Sequence, residues 1–161
     1  MNAHPGTYAL VLESDVAAQV SIGRLGELHA APGYYVYVGS AFGPGGLAGR
    51  LAHHQRSPTR PHWHIDYLRS HARLIGIWFT NDPQPREHLW ADVFACAKGA
   101  TIPLPGFGCS DCRCRSHLFH FARRPSLAAF RRRLRAACGD HVVGDDARSL
   151  AGGICAAPVP V

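Results

Sequence analysis

Five residues in this chain have the types and order needed to work on a phosphate ester. Tyr8 follows Gly6-Thr7 at the start of an apolar run, and Tyr37 precedes Val38-Gly39 at the end of another. Arg50 and His54 lie four apart, so a helix would put them on one face. Glu87 follows the breaker run Asn81-Asp82-Pro83-Gln84-Pro85, which marks the start of a helix. A phenol or imidazole can activate water, a guanidinium can offset charge developing on phosphate, and a carboxylate can hold a divalent cation. An unperturbed phenol has a pKa of about 10, so Tyr8 needs a nearby cation or metal-bound water to act near neutrality.

A second group of reactive residues is Cys109-Ser110-Asp111-Cys112-Arg113-Cys114-Arg115-Ser116-His117. Cys109, Cys112, Cys114 and His117 have the ligand types and local spacing of structural zinc. Four ligands from nine residues is tight, with one residue between Cys112 and Cys114, so thiols packed under the sheet are the favoured reading. His62, Trp63, His64 and Asp66 also invite a metal reading, but a helix would point His64 away from His62 and Asp66. A packing role for Trp63 and Tyr67, with Asp66 capping or pairing an arginine, is preferred there.

Positioning these residues requires alternating short strands and helices. Strands are expected at 8–12, 16–22, 34–38, 74–80 and 117–121, with turns at 23–28 and 31–33. Helices are expected at 47–55, 64–70, 87–98 and, capped by Ser126, through 137. Gly45-Gly46 at the first of these would let its N-terminus approach a phosphate closely. The expected fold is therefore α+β, a small twisted antiparallel sheet flanked by helices. Its divisions are a core at 5–122, a basic helix at 123–138 and a flexible tail at 139–161.

Composition narrows the partner. The chain has 161 residues, a net charge of +6 and a hydrophobic fraction of 47%, which excludes a disordered polyampholyte. Residues 1–49 carry one arginine against three acids, and residues 136–161 do the same. Residues 50–135 carry fourteen arginines and Lys98 against five acids, a net of +10. Arg113, Arg115, Arg123, Arg124, Arg131, Arg132, Arg133 and Arg135 then form a candidate surface for tracking a phosphate backbone, with little base reading. No basic n-region opens the sequence and no run approaches the ~20 apolar residues of a membrane helix, so a cytoplasmic protein is expected.

At Tyr8, Tyr37, Arg50, His54 and Glu87 the sequence resembles the GIY-YIG endonuclease family. Gly6-Thr7-Tyr8 is similar to the first tripeptide with Thr for Ile, and Tyr37-Val38-Gly39 to the second with Val for Ile. Arg50, His54 and Glu87 are similar to the family's helix arginine, a histidine of some members and the metal-binding glutamate. Through 37–41, the run Trp63-His64-Ile65-Asp66-Tyr67-Leu68 and 108–118, the chain resembles the Uri-type branch, stand-alone or fused to DNA-repair domains. The resemblance covers about residues 6–121. It implies a Mg²⁺- or Mn²⁺-dependent DNA endonuclease with Tyr8 as general base, Tyr37 assisting, Arg50 on the phosphate and Glu87 on the metal. Two departures are visible. Twenty-eight residues separate Tyr8 from Tyr37, enough for an extra hairpin, and the family's asparagine after the glutamate is absent, Asn2 and Asn81 both preceding Glu87. The alternative class is a non-catalytic nucleic-acid-binding module with the same fold.

Overall fold

β1 (Thr7–Ser14) is buried along almost its whole length, which for a strand means that both faces are covered. The computed structural model describes residues 3–56, 60–110, 112–139 and 141–146. Within them β1 pairs antiparallel with β4 (Gly33–Ser40) on one side and β5 (Arg73–Thr80) on the other, with a bulge between Val11 and Leu12 against β5. β6 (Leu118–Phe121) adds to β4 and β7 (Gly144–Asp145) to β5, giving the order β6-β4-β1-β5-β7. The architecture is α+β, an antiparallel sheet with helices packed on it, as the sequence pattern implied.

Side-chain alternation along β1 divides the core in two. Tyr8, Leu10 and Leu12 join Tyr35, Tyr37 and Ile77 on one face, covered by Leu47 and Leu51 of α1 (Gly46–Gln55) and Ile65 and Leu68 of α2 (His64–Arg69). Ala9 and Val11 join Val36, Val38 and Trp78 on the other face. There they meet Trp90 and Phe94 of α3 (Glu87–Ala95) and Phe130 and Leu134 of α4 (Leu127–Cys138). Ser126 caps α4, its hydroxyl accepting from Ala129 N–H at 3.3 Å.

The added length between Tyr8 and Tyr37 forms a separate two-stranded sheet, β2 (Ala18–Ser21) and β3 (Glu27–Ala30). The strand expected at 16–22 contains β2, whereas the turn expected at 23–28 overlaps β3, which the pattern does not anticipate. The turn is confined to 22–26, and Leu28 and Ala30 alternate into the core beneath the hairpin.

Residues 141–146 of the stretch expected as a flexible tail pack against the sheet. His141, Val143 and β7 dock on the sheet, His141 Nε2 accepting from the Trp90 indole at 3.3 Å and Val143 lying buried. Too few apolar residues surround this stretch for its pattern to be legible; its anchor is the Trp90–His141–Asp82 chain. The remainder of that tail, 147–161, lies outside the described residues. Among the described residues no helix is long and apolar enough to cross a membrane.

Candidate functional site

The cleft sits at the sheet end where β1 begins and β4 finishes. Cross-strand register places Tyr8 opposite Gly39 and Leu10 opposite Tyr37, so the two tyrosines share a face. Glycine at 39 has a steric cause. A Cβ there would stand 2.5 Å from the Tyr8 hydroxyl oxygen, so the ring crosses the strand only over a bare backbone.

α1 supplies Arg50 and His54 from one face, as their spacing requires. The Tyr8 hydroxyl and His54 Nε2 are 2.8 Å apart, and the Arg50 guanidinium carbon lies 4.3 Å above the Trp63 ring. Trp63 thus holds the arginine at the cleft by a cation–π contact, a use that its place in an apolar run did not reveal.

The entry to α3 is fixed by polar contacts. Asp82 accepts from Gln84 N–H at 2.9 Å and from Arg86 Nε at 2.7 Å, making the turn that Asn-Asp-Pro chemistry favours. Arg86 N–H then donates to Thr7 Oγ1 at 3.0 Å. Threonine at position 7 thereby ties the residue before Glu87 to the residue before Tyr8. Although α3 packs on the opposite face of the sheet, its first turn brings Glu87 round the sheet end into the cleft. Tyr8, Tyr37, Arg50 and Glu87 all line one space of about 230 Å³, bounded by Trp63, Gly108 and Ser110.

The electrostatics follow from burial. Desolvation drives the Tyr8 and Tyr37 phenols well above their ordinary value, Tyr8 further through Tyr37 and Tyr37 further through Glu87, with Arg50 opposing both. Both are neutral phenols near pH 7. Desolvation pushes His54 down to about 3, against the attraction of Asp66, so its imidazole is neutral as well. His54 Nδ1 is buried without a hydrogen-bond partner. Burial would raise the Glu87 carboxyl, but His117 and the Ser40 hydroxyl outweigh it and hold the group below the ordinary glutamate range. Glu87 is therefore an anion facing the cleft.

Asp66 has other duties. It accepts from the backbone N–H of His62 at 2.9 Å and Trp63 at 3.0 Å, capping α2, and pairs with His53 at 3.2 Å rather than with an arginine. Its lone pairs are largely used. His64 Nδ1 accepts from Gly108 N–H at 3.1 Å, joining α2 to the loop below the cleft.

The glycines before α1 do not admit a phosphate. Gly46 has φ +52°, and a Cβ there would meet Ala3 O at 2.2 Å and His4 O at 2.5 Å. Leu47 N–H donates to His4 O at 3.0 Å. The chain's own N-terminal segment covers the helix start, so the expected phosphate approach is corrected.

The cysteine cluster also differs from its expected form. Cys112, Cys114 and His117 do converge, but the fourth group at ligand distance is His88 of α3, not Cys109. Cys109 Sγ reaches Phe107 O at 3.5 Å while staying beside Cys112, and burial raises its thiol and that of Cys114 alike. No local spacing could have announced His88, which lies in a different element.

The arginines divide between two surfaces. Arg113 and Arg115 are exposed in the loop that also supplies Gly108 and Ser110 to the cleft. Arg123, Arg124 and the arginines of α4 belong to the opposite face of the sheet. There Arg131 donates through Nε to Val143 O at 3.1 Å and Arg133 through Nη1 to Cys96 O at 3.1 Å, so both brace backbone. Arg132 and Arg135 are exposed on the same helix.

The family model described as "Domain of unknown function DUF123" matches residues 7–139. The chain belongs to the DUF123 family. The DUF123 match begins with β1 and ends just after α4, so it takes in the cleft and the cysteine cluster but not β7. No curated protein and no solved structure matches the chain.

Proposed function

We propose that this protein is a divalent-metal-dependent DNA endonuclease of the GIY-YIG kind, with low sequence specificity. The observation that carries the reading is the convergence of Tyr8, Tyr37, Arg50 and Glu87 from four separate elements on one polar cleft, with His54 bonded to Tyr8.

The donor set suits Mg²⁺ or Mn²⁺ that keeps most of its water, because Glu87 is an anionic oxygen ligand at the cleft edge. A divalent cation held there supplies Lewis-acid stabilisation of phosphate charge and a more acidic water. Arg50, pinned over Trp63, offsets charge on the non-bridging phosphate oxygens. The neutral His54 accepts the Tyr8 hydroxyl proton in a hydrogen bond, which leaves the phenol oxygen lone pairs for the attacking water. To act as base, Tyr8 must first lose its own proton: cationic charge in the cleft lowers the phenol, that proton passes along the 2.8 Å hydrogen bond to His54 Nε2, and the phenolate then takes the proton of the attacking water. Tyr37 walls the other side of the water site.

DNA meets the cleft through Arg113 and Arg115 on its border. Arg123, Arg124, Arg132 and Arg135 serve a strand that continues around the molecule, while Arg131 and Arg133 add charge from braced positions. The five described cysteines are all free thiols, which suits a cytoplasmic location. The high phenol pKa values and the absent asparagine favour the second reading, a binding module without cleavage.

Labelled single- and double-stranded DNA, incubated with Mg²⁺, Mn²⁺ or EDTA, separates the two. Cleavage that needs the metal and falls about 10²–10³-fold in Arg50→Ala and Glu87→Ala is the expected result. Cleavage indifferent to EDTA and to both substitutions would overturn the mechanism, and binding without cleavage under every metal would establish the module.

A further inference from the structure

We propose that His88, Cys112, Cys114 and His117 form a structural zinc centre, and that Glu87 orients it. The four ligand atoms lie within 4.8 Å of one another, drawn from the first turn of α3 and the loop before β6. Cys112 Sγ and His117 Nε2 are 3.4 Å apart. Tetrahedral zinc, with Zn–S of about 2.3 Å and Zn–N of about 2.0–2.1 Å, sets such a pair about 3.5 Å apart. A small contraction of the others completes the tetrahedron.

The surroundings are those of a metal-binding histidine. His117 is buried, its side chain only 1% exposed, and its Nδ1 stands 2.9 Å from Glu87 Oε1. The contact is at ion-pair distance, with an angle outside that of a good hydrogen bond. A carboxylate beside Nδ1 keeps the proton there and leaves the Nε2 lone pair directed toward Cys112, the arrangement that prepares a histidine for a metal. Drawing Nε2 onto zinc rotates the ring and lets Nδ1–H align with Glu87.

The donor set decides which metal. Two sulfurs and two imidazoles are soft and borderline ligands, suited to zinc and not to Mg²⁺ or Ca²⁺. On binding, the Cys112 and Cys114 thiols release two protons, the two thiolates balance the ion's charge, and both imidazoles bind as neutral groups. Four protein ligands close the coordination, so the centre is structural and not hydrolytic. It staples the cysteine loop to α3 at the residue next to Glu87, holding that carboxylate at the cleft edge. The tight spacing within 109–117 is no obstacle, because the fourth ligand comes from another element.

The centre is independent of the nuclease reading, since its readout is metal content. The full-length protein, purified and desalted after exposure to Zn²⁺ or Co²⁺, is expected to hold one ion per chain. Bound Co²⁺ should give intense tetrahedral d–d bands and sulfur-to-cobalt charge transfer. Cys112→Ser and Cys114→Ser should each lose the ion, while Cys109→Ser keeps it in full. His88 is exposed, so His88→Ala leaves the core intact and tests the site even if the cysteine variants misfold. It should weaken binding at least 10-fold. Glu87→Gln should keep the stoichiometry and weaken affinity about 10–100-fold. A wild-type chain that retains neither metal would overturn the proposal, as would His88→Ala binding as tightly as wild type or Cys109→Ser losing the ion as completely as Cys112→Ser.

Discussion

One face of the sheet is built from stacked rings, the other from rings that carry hydroxyls and imidazoles. On the α3–α4 face, Phe94 and Phe130 lie 4.5 Å apart and almost parallel, with Trp78 stacked on Phe130 at 5.6 Å. The α1–α2 face has comparable aromatic density, yet Tyr8, His54, Tyr37 and Trp63 meet tilted or edge-on around a polar cleft. The dry face is close-packed and holds the molecule together. The wet face holds buried polar groups in place, at a cost in desolvation that the first face must offset.

The largest break in this comparison should come from Phe130→Ala. Removing a ring packed against Phe94, Trp78 and Trp90 is expected to cost about 3–5 kcal/mol, measured by chemical denaturation. Tyr8→Phe leaves the buried His54 Nε2 unpaired and should cost less, about 1–3 kcal/mol, while removing cleavage. Equal destabilisation by the two would erase the division of labour.

Acid should act mainly through the wet face. His54 has a folded pKa of about 3 against about 6.5 unfolded, so the unfolded chain binds a proton that the folded chain refuses. Stability is fully present above about pH 6.5 and is lost as pH falls toward 3. Between about pH 6.5 and 4.5 the loss is on the order of 2–3 kcal/mol. Asp66, Asp82 and Glu87, held below their ordinary values, add losses as pH falls below about 5. His54→Gln should flatten the upper window; an unchanged slope would mean that another group governs it.

Gly39→Ala sharpens the geometry of the cleft. Its Cβ would displace the Tyr8 hydroxyl, and an expected overpacking cost of about 1–3 kcal/mol should accompany a larger fall in cleavage. Retained activity would show that Tyr8 does not need its present position.

The smallest effect concerns charge. Arg113→Ala with Arg115→Ala should lower the slope of log binding constant against log salt by about 0.9 for each phosphate that is no longer neutralised. Arg123→Ala, Arg124→Ala and Arg132→Ala together should change it less, because these residues lie on the far face. The reverse order would make the basic helix the main DNA-binding surface.

The sequence by itself determined most of the elements, though not β3 or β7, and named the residues that line the cleft. Short apolar runs marked β1, β4 and β5, three- and four-residue steps marked α3, and the Arg50–His54 spacing set one helical face. These are local properties of a repeating backbone, legible without knowing what lies opposite. Only the tertiary structure decided that Trp63 sits under Arg50, that Thr7 holds the entry to α3, and that His88 stands in Cys109's expected place. It also decided that α4's arginines lie behind the sheet and that residues 141–146 close its edge. Each of those facts joins residues far apart in sequence, and such pairings depend on strand order and helix packing, which no local period encodes.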